Sequence, residues 1–224
     1  MATAKPLVAG FVCALIFAVP ASAGIAAGSD RPTVRLTRAD QATAVRSLLT
    51  LSDFATGWKG GRTKPDPLAA PSCPGFDPKE SDLVVTGHAD ASFTYPSSAV
   101  SFGQDVQVLQ SAADVRTDFS RSIGASLGRC LAYRLGRQKD VTAVQVVRER
   151  FPSVGSISAA YRATLTLRDG KRTVTVTDDF IFFGVGRTEY SFNVAAPAQL
   201  ADQLGSFEWS MASLLAKRSA KPCC

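Results

Sequence analysis

The pattern of apolar and polar positions changes period several times along the chain, and each change marks a new element. From Thr37 to about Leu51, apolar side chains such as Val45 and Leu48 recur at three- and four-residue steps. This spacing predicts a helix, and Asp40 in its first turn is typical of a helix start.

Two alternating runs follow between residues 83 and 108, and Pro96-Ser97-Ser98 separates them, which predicts two strands joined by a turn. From Ala112 to Leu131 the period lengthens to three or four residues, which predicts one long amphipathic helix. The stretch from Lys59 to Lys79 is rich in glycine and proline and is typical of an ordered loop.

The dipeptide Asp169-Gly170 lies between two further alternating runs and is a strong signal for a two-residue hairpin turn. With Arg168 opposite Lys171, Leu165 faces Val174 on an apolar side. The opposite side is polar and carries Thr164, Thr166, Thr173 and Thr175. The turn and the apolar pattern require the same register, which supports both.

Another strand alternates through Tyr190, Phe192 and Val194, and Pro197 then begins a final helix. The apolar stripe of that helix is formed by Leu200, Leu204, Phe207, Met211 and Leu214. The order of elements predicts an α+β fold, with about six strands in a largely antiparallel sheet and three helices packed on one face.

The first 23 residues have the three parts of a secretory signal peptide. Lys5 supplies the positive charge, an apolar run extends from Leu7 to Val19, and Ala21-Ser22-Ala23 ends the segment. The run is shorter than the roughly 20 residues that cross a bilayer, although an uncleaved anchor helix is the alternative. We predict cleavage after Ala23 and a secreted protein. A lipid anchor is not expected, because Cys13 lies inside the apolar run.

The length after cleavage fits one domain of about 200 residues. We expect a flexible lead-in at 24–36, a single domain at 37–217 and a disordered tail at 218–224. Loss of Lys5 leaves 24 basic and 19 acidic side chains, a net charge of +5. The basic residues are scattered, which is typical of a solvated surface and not of nucleic-acid binding, although a mild attraction to anionic envelope polymers fits the charge.

Four cysteines remain after cleavage, and an oxidising compartment favours their pairing. Cys73 and Cys130 form the expected internal disulfide. For Cys223 and Cys224 a vicinal disulfide, an intermolecular bridge and no ordered structure all remain open. The Cys and His spacing of zinc sites is absent, so no metal and no cofactor are predicted.

The segment Gly124-Ala125-Ser126-Leu127-Gly128 matches the G-x-S-x-G pattern of serine hydrolases. That pattern needs a sharp strand-to-helix turn, whereas Ser126 lies inside the predicted helix, and His88 comes before it in the chain. His88 is interpreted as a structural or surface residue. Asp178 and Asp179 are adjacent on a strand, so their side chains point to opposite faces. We therefore predict no catalytic residues and no enzyme activity.

Phe54 and Trp58 follow the first helix and are the candidate ligand-groove residues, because two large aromatics beside a glycine suit a binding groove. The alternative is that both plug the core beneath the adjoining loop.

The segment Leu51-Ser52-Asp53-Phe54-Ala55-Thr56-Gly57-Trp58 resembles the corresponding segment of actinobacterial exported proteins related to the PknH-type extracellular sensor domain. The position of Cys73 in the following loop, and of Cys130 at a helix end, is similar, and the likeness covers residues 37–217. The resemblance implies an antiparallel sheet flanked by helices around a cleft, no enzyme activity and an unknown extracellular ligand. This sequence departs from the group in lacking a kinase segment, a second internal disulfide and a lipobox.

The leading hypothesis is a secreted, non-catalytic binding module of the cell envelope that takes a small or lipidic ligand in a cleft. One alternative is a protein that docks on another envelope protein through the threonine face or the cysteine tail. The other is an envelope hydrolase that uses Ser126.

Overall fold

The computed structural model describes residues 30–66, 68 and 71–219. The strands within them are β1 (Thr33–Val34), β2 (Lys59–Thr63), β3 (Val84–Tyr95), β4 (Val100–Leu109), β5 (Val141–Glu149), β6 (Ile157–Asp169), β7 (Arg172–Val185) and β8 (Thr188–Pro197). The α-helices are α1 (Arg38–Arg46), α2 (Ala112–Ser122), α3 (Ala125–Gly136) and α4 (Ala201–Ser219). The predicted signal peptide, its cleavage site after Ala23, and Cys223 and Cys224 lie outside the described residues.

The strands form one sheet in the order β1-β3-β4-β8-β7-β6-β5, and β2 also pairs with β3. The pairing of β1 with β3 is parallel, and the other strand pairings are antiparallel. The predicted α+β class and the largely antiparallel sheet are confirmed. The predicted counts were too low, because the described part of the chain holds eight strands and four α-helices.

The segment predicted as a loop from Lys59 to Lys79 begins with strand β2, which pairs with β3 along its whole length. Its glycines indicated a loop in the sequence, yet Gly60 is what allows the pairing. A β-carbon on Gly60 would lie 2.1 Å from the carbonyl oxygen of Ser92, and the φ of Gly60, +132°, also favours glycine. β1 likewise falls within the lead-in predicted at 24–36.

The long helix predicted from Ala112 to Leu131 is instead two helices, α2 and α3. A capping box begins α2, in which Ser111 Oγ accepts from the Asp114 N–H and the Asp114 carboxylate accepts from the Ser111 N–H. Ile123 has extended backbone, and α3 starts after Gly124, a residue type with weak helix propensity. The break lets α3 pack along β5 and β6 while α2 contacts β4, β7 and β8.

Helices cover both faces of the sheet, whereas the sequence predicted cover on one face. Strand β7 is apolar on both sides, with Ile181 and Phe183 in one core and Phe180 and Phe182 in the other. Helices α1 and α4 pack on the first side, which we call the α4 face, and α3 packs on the second, the α3 face. Since successive strand residues point to opposite faces, such a strand needs cover on both sides.

The hairpin between β6 and β7 forms, but its predicted register is wrong by two residues. The turn residues are Gly170-Lys171, so Leu165 pairs with Val176. Gly170 has a φ of +60°, which fits a two-residue turn with glycine at the first central position. A shift of two residues keeps each side chain on its face, so the buried set on β6 is the predicted one.

The final helix starts later than predicted, because Pro197 ends β8 and a short 3₁₀ turn precedes α4. The buried side chains of α4 are Leu204, Glu208, Ala212 and Leu215. Most of the predicted apolar stripe therefore lies at the margin of the contact with the sheet, and the buried glutamate was not foreseen.

Helix α4 also extends two residues past the domain boundary predicted at Lys217. Arg218 donates to the Leu48 carbonyl at 3.1 Å and pairs with the Asp53 carboxylate. Ser219 donates to the Leu215 carbonyl, which continues the helix, and contacts the Tyr190 hydroxyl. These contacts tie the end of α4 to the segment after α1, so residues 218 and 219 belong to the folded domain.

The predicted internal disulfide is present between Cys73 and Cys130, whose Cα atoms are 5.4 Å apart. Cys130 is buried on α3 in the core of the α3 face, and the bond attaches the loop that contains Cys73 to this helix. Among the described residues, no helix combines the length and the apolar character needed to cross a membrane.

Replacing both Cys73 and Cys130 by alanine is expected to lower the free energy of unfolding by about 4 kcal/mol, because the bond closes a loop of 57 residues in the unfolded chain. Urea denaturation followed by circular dichroism measures the change. Reductant should destabilise the wild-type domain similarly and leave the double variant unaffected. Equal unfolding midpoints for the two proteins would show that the bond contributes nothing.

Candidate functional site

A cavity on the α3 face lies between the sheet and the roof formed by α2, α3 and the Cys73 loop. Its volume is about 400 Å³. Six acidic residues line it and give it the name acidic cavity: Asp66, Glu80, Asp90, Asp105, Asp118 and Glu189. Its other wall is apolar and includes Phe76, Leu83, Ile123, Leu127, Leu131 and Phe182.

The alternation of side chains along the strands brings several polar residues of the sheet to this cavity. His88 and Asp90 are two residues apart on β3 and so share a face, and Asp105 on β4 pairs directly with Asp90. On β8, Glu189 pairs with Gln107 of β4. Three neighbouring strands thus bring their ionisable side chains to one patch of the sheet.

His88 lies between two carboxylates. Its Nε2 atom is 2.5 Å from Asp105 Oδ2 and 3.1 Å from Asp90 Oδ1. The other oxygen of each carboxylate accepts a hydrogen bond from a neighbouring residue. Asp105 Oδ1 accepts from the Gln107 amide at 3.1 Å, and Asp90 Oδ2 accepts from the Asp66 N–H at 2.9 Å. The ring is 7% exposed, so the contacts are made largely out of solvent.

These contacts set the charge of the cluster. Burial lowers the pKa of His88, but the contacts with Asp105 and Asp90 and the charges of these two carboxylates outweigh it and raise that pKa to about 9. Burial raises the pKa of Asp105, whereas the close approach of His88 overcomes burial and lowers the pKa of Asp90. In the absence of a ligand, His88 therefore carries a proton at neutral pH.

The surroundings of Glu189 favour its neutral form. Burial raises the pKa of its carboxyl group well above the ordinary value, and Asp118, Asp105 and Glu80 raise it further. Its Oε2 atom is buried and has no hydrogen-bond partner in the described chain. A buried carboxyl oxygen without a partner is costly, and it marks a position that a ligand group would satisfy.

The acidic cavity is exceptional in its charge. The whole sequence has a formal net charge of +6, yet none of the described residues that line the cavity is Lys or Arg. A cleft lined by one sign of charge concentrates ions of the opposite sign. The acidic lining residues suit a cationic group and the apolar lining residues suit a hydrocarbon group.

Phe54 and Trp58, the predicted groove residues, lie elsewhere. Their ring centroids are 4.7 Å apart, and they pack against Phe93 and Phe207 at the edge of the α4-face core. Neither lines the two cavities described here. Their surroundings correspond to the plug interpretation.

Ser126 lies in the first turn of α3, and its hydroxyl accepts from Arg129 at 3.1 Å. The residue before this helix follows another helix, not a strand, so the segment lacks the geometry of a nucleophile elbow. Ser126 is also not among the residues that line the acidic cavity with His88.

Asp178 and Asp179 do point to opposite faces of β7. Asp178 accepts from the Asn193 amide at 2.9 Å, and Asp179 pairs with Arg162. The threonines of the hairpin lie on the α4 face, where Thr166 pairs with Thr175.

The acidic residues of this cavity were not predicted as a site, and His88 was interpreted only as a structural or surface residue. One signal was available, since His88 and Asp90 are spaced to share a strand face. The turn at Pro96-Ser97-Ser98 between two predicted strands would have placed Asp105 beside them. Nothing local to Glu189 indicated its position, because the pairing of β4 with β8 brings together residues about 80 positions apart.

A second cavity, of about 300 Å³, lies on the α4 face. Arg162 donates to both oxygens of Asp179, at 2.7 and 2.6 Å, so this acidic group has a basic partner. Glu208 is 4% exposed, and its Oε1 atom has no hydrogen-bond partner in the described chain. Burial raises the pKa of Glu208 to about 9, and the neighbouring Asp179 adds to the shift.

Comparisons with known proteins identified no relative: no family model, no curated protein and no solved structure matches the chain.

The raised pKa of Glu208 predicts a pH-dependent stability. Between the ordinary pKa of 4.5 and about 9 the folded chain holds a proton that the unfolded chain releases, so stability falls as pH rises through this window, by up to about 1.4 kcal/mol per pH unit. Glu208→Gln removes this loss, and the variant should gain stability relative to wild type between pH 5 and pH 8. Urea denaturation of both proteins at the two pH values measures it. Parallel pH profiles would mean that Glu208 is ionised in the folded state.

Proposed function

We propose that this chain is an exported, non-catalytic binding module of the cell envelope, and that its acidic cavity takes a small amphipathic cation. The observation that carries the proposal is the charge of the cavity. Six of the chain's 19 acidic side chains line one cavity in a protein of net positive charge. Without a ligand, neighbouring carboxylates repel one another, and burial adds to the cost of ionising Asp105 and Glu189.

A cationic ligand relieves that cost directly. Asp118 on α2 and Glu189 on β8 both line the cavity, and Asp118 raises the pKa of Glu189. An ammonium group has donors for several carboxyl oxygens at once, including the unpartnered Oε2 of Glu189. Binding would therefore satisfy an acceptor that the protein alone leaves without a donor.

The apolar lining residues indicate that the ligand also has a hydrocarbon part. Ile123, Leu127 and Leu131 line the cavity from the break between α2 and α3 and from α3 itself, and Phe182 lies opposite on β7. A cavity of about 400 Å³ falls within the usual range for small-molecule sites. A hydrocarbon chain or ring of modest size would bury apolar area there.

Export is supported by the signal-like first 23 residues and by the disulfide, which is typical of oxidising compartments. The likeness of the segment Leu51 to Trp58 to PknH-type sensor domains supports an envelope binding role. The environment of His88 argues against a general base at this position, because a protonated imidazole held by two carboxylates is a donor and not an acceptor of protons.

Isothermal titration calorimetry with decylammonium and decanoate, two probes of equal chain length and opposite charge, tests the proposal at pH 7 in the presence of EDTA. We expect binding of decylammonium and no measurable binding of decanoate. Asp118→Asn should weaken decylammonium binding about tenfold, equivalent to about 1.4 kcal/mol, because it removes a carboxylate without changing side-chain shape.

Asp202→Asn is the matched control, since Asp202 is an exposed acid of α4 on the opposite face of the sheet. It should bind decylammonium as the wild type does. Equal affinity for the two probes would remove the role given to charge, and the failure of both to bind would remove the cavity as the ligand site.

A further inference from the structure

The floor of the acidic cavity holds an arrangement that the binding of an organic cation does not explain. One nitrogen and two oxygens, from His88, Asp90 and Asp105, lie within 4.8 Å of one another and converge from two paired strands. Imidazole nitrogen and carboxylate oxygen are common ligands of divalent transition metals in proteins.

The hydrogen bonding within this group is incomplete. The single Nε2 proton of His88 can be given fully to one acceptor, and Asp105 Oδ2 is the nearer of the two. Asp90 Oδ1, although 3.1 Å from the same nitrogen, is a buried atom with no hydrogen-bond partner in the described chain. Glu189 Oε2, in the same cavity, is buried and equally without a partner. Two unsatisfied acceptors thus accompany the converging ligand atoms.

Hydrogen bonds to their second oxygens also fix the orientation of the two carboxylates. Gln107 holds Asp105 Oδ1 and the Asp66 N–H holds Asp90 Oδ2, which leaves the remaining oxygen of each group turned to His88 Nε2. Partners of this kind fix the direction of metal-binding carboxylates in known sites. The residues that supply them, Gln107 and Asp66, also line the cavity.

We infer that His88, Asp90 and Asp105 form a binding site for one divalent transition-metal ion, with Zn²⁺ as the representative ion. These side chains supply three protein ligands, and the cavity leaves a further coordination position for water or a bound molecule. Imidazole disfavours Mg²⁺ and Ca²⁺, which prefer all-oxygen ligand sets. Coordination releases the Nε2 proton of His88 to solvent, satisfies Asp90 Oδ1 and neutralises the paired carboxylates.

This site goes beyond the proposed function and does not depend on it. The organic cation is assigned to the part of the cavity beside Asp118 and Glu189, whereas the metal ion is assigned to β3 and β4. The two ligands are coupled by charge, because an ion of charge +2 on the floor reduces the attraction for a second cation. Saturation with zinc should therefore weaken decylammonium binding.

Titration of ZnCl₂ into the metal-free, EDTA-dialysed domain, followed by calorimetry, tests the inference without any organic ligand. We expect one saturable site per chain. Asp90→Asn should weaken zinc binding more than tenfold, and His88→Gln should do the same by removing the only imidazole. Asp202→Asn removes an equal charge from the opposite face and should bind zinc as the wild type does.

Cobalt binding gives a second measurement. It uses the wild-type domain, so its outcome does not depend on whether the variants fold. Co²⁺ added to the wild-type domain should produce visible d–d absorption bands whose intensity reports four or five coordination, and zinc should displace them. The absence of both zinc heat and cobalt bands would overturn the inference. Unchanged zinc binding in folded Asp90→Asn and His88→Gln domains would also overturn it, because the ion would then lie elsewhere.

Discussion

The structure depends on a sheet that must be covered on both faces. Strand β7, near the centre of the sheet, is apolar at odd and even positions, as Ile181 and Phe182 show. Burial of one such side chain contributes about 1.5–3 kcal/mol, so leaving either face exposed would remove much of the domain's stability. Helices α1 and α4 meet this requirement on one face, and α3 with the disulfide-linked loop meets it on the other.

Cover on the α3 face is incomplete, and this produces the cavity. Helix α3 packs along β5 and β6, at one end of the sheet, while β3 and β4 at the other end carry His88, Asp90 and Asp105. The loop that contains Cys73 spans the space between them, and its bond to Cys130 holds it to α3. The disulfide therefore stabilises the fold and also fixes part of the cavity roof.

The two cavities show how a fold treats buried acids in different ways. In the second cavity a guanidinium accompanies Asp179, and Glu208 stays neutral beside the pair. In the acidic cavity the only cationic side chain among the lining residues of the described chain is the imidazole of His88, which two carboxylates share. Buried charge without compensation is expensive, so the acidic cavity is the one in which an external cation has most to contribute.

The sequence by itself determined what depends on local pattern: the α+β class, the existence of the hairpin between β6 and β7, the buried face of β6, and the pairing of Cys73 with Cys130. The predicted face of β7 was wrong, because Val174 on the predicted apolar side is exposed whereas Ile181 and Phe183 on the other side are buried. Local pattern did not determine the two-residue shift of the hairpin or the break at Gly124. Alternative turn positions, and one helix or two, have similar intrinsic stability, so tertiary contacts select between them. The second covered face, the burial of Glu208 and the meeting of Glu189 with His88 were decided only by tertiary structure. Each of these depends on which strands lie side by side, and strand order arises from contacts between residues far apart in the chain.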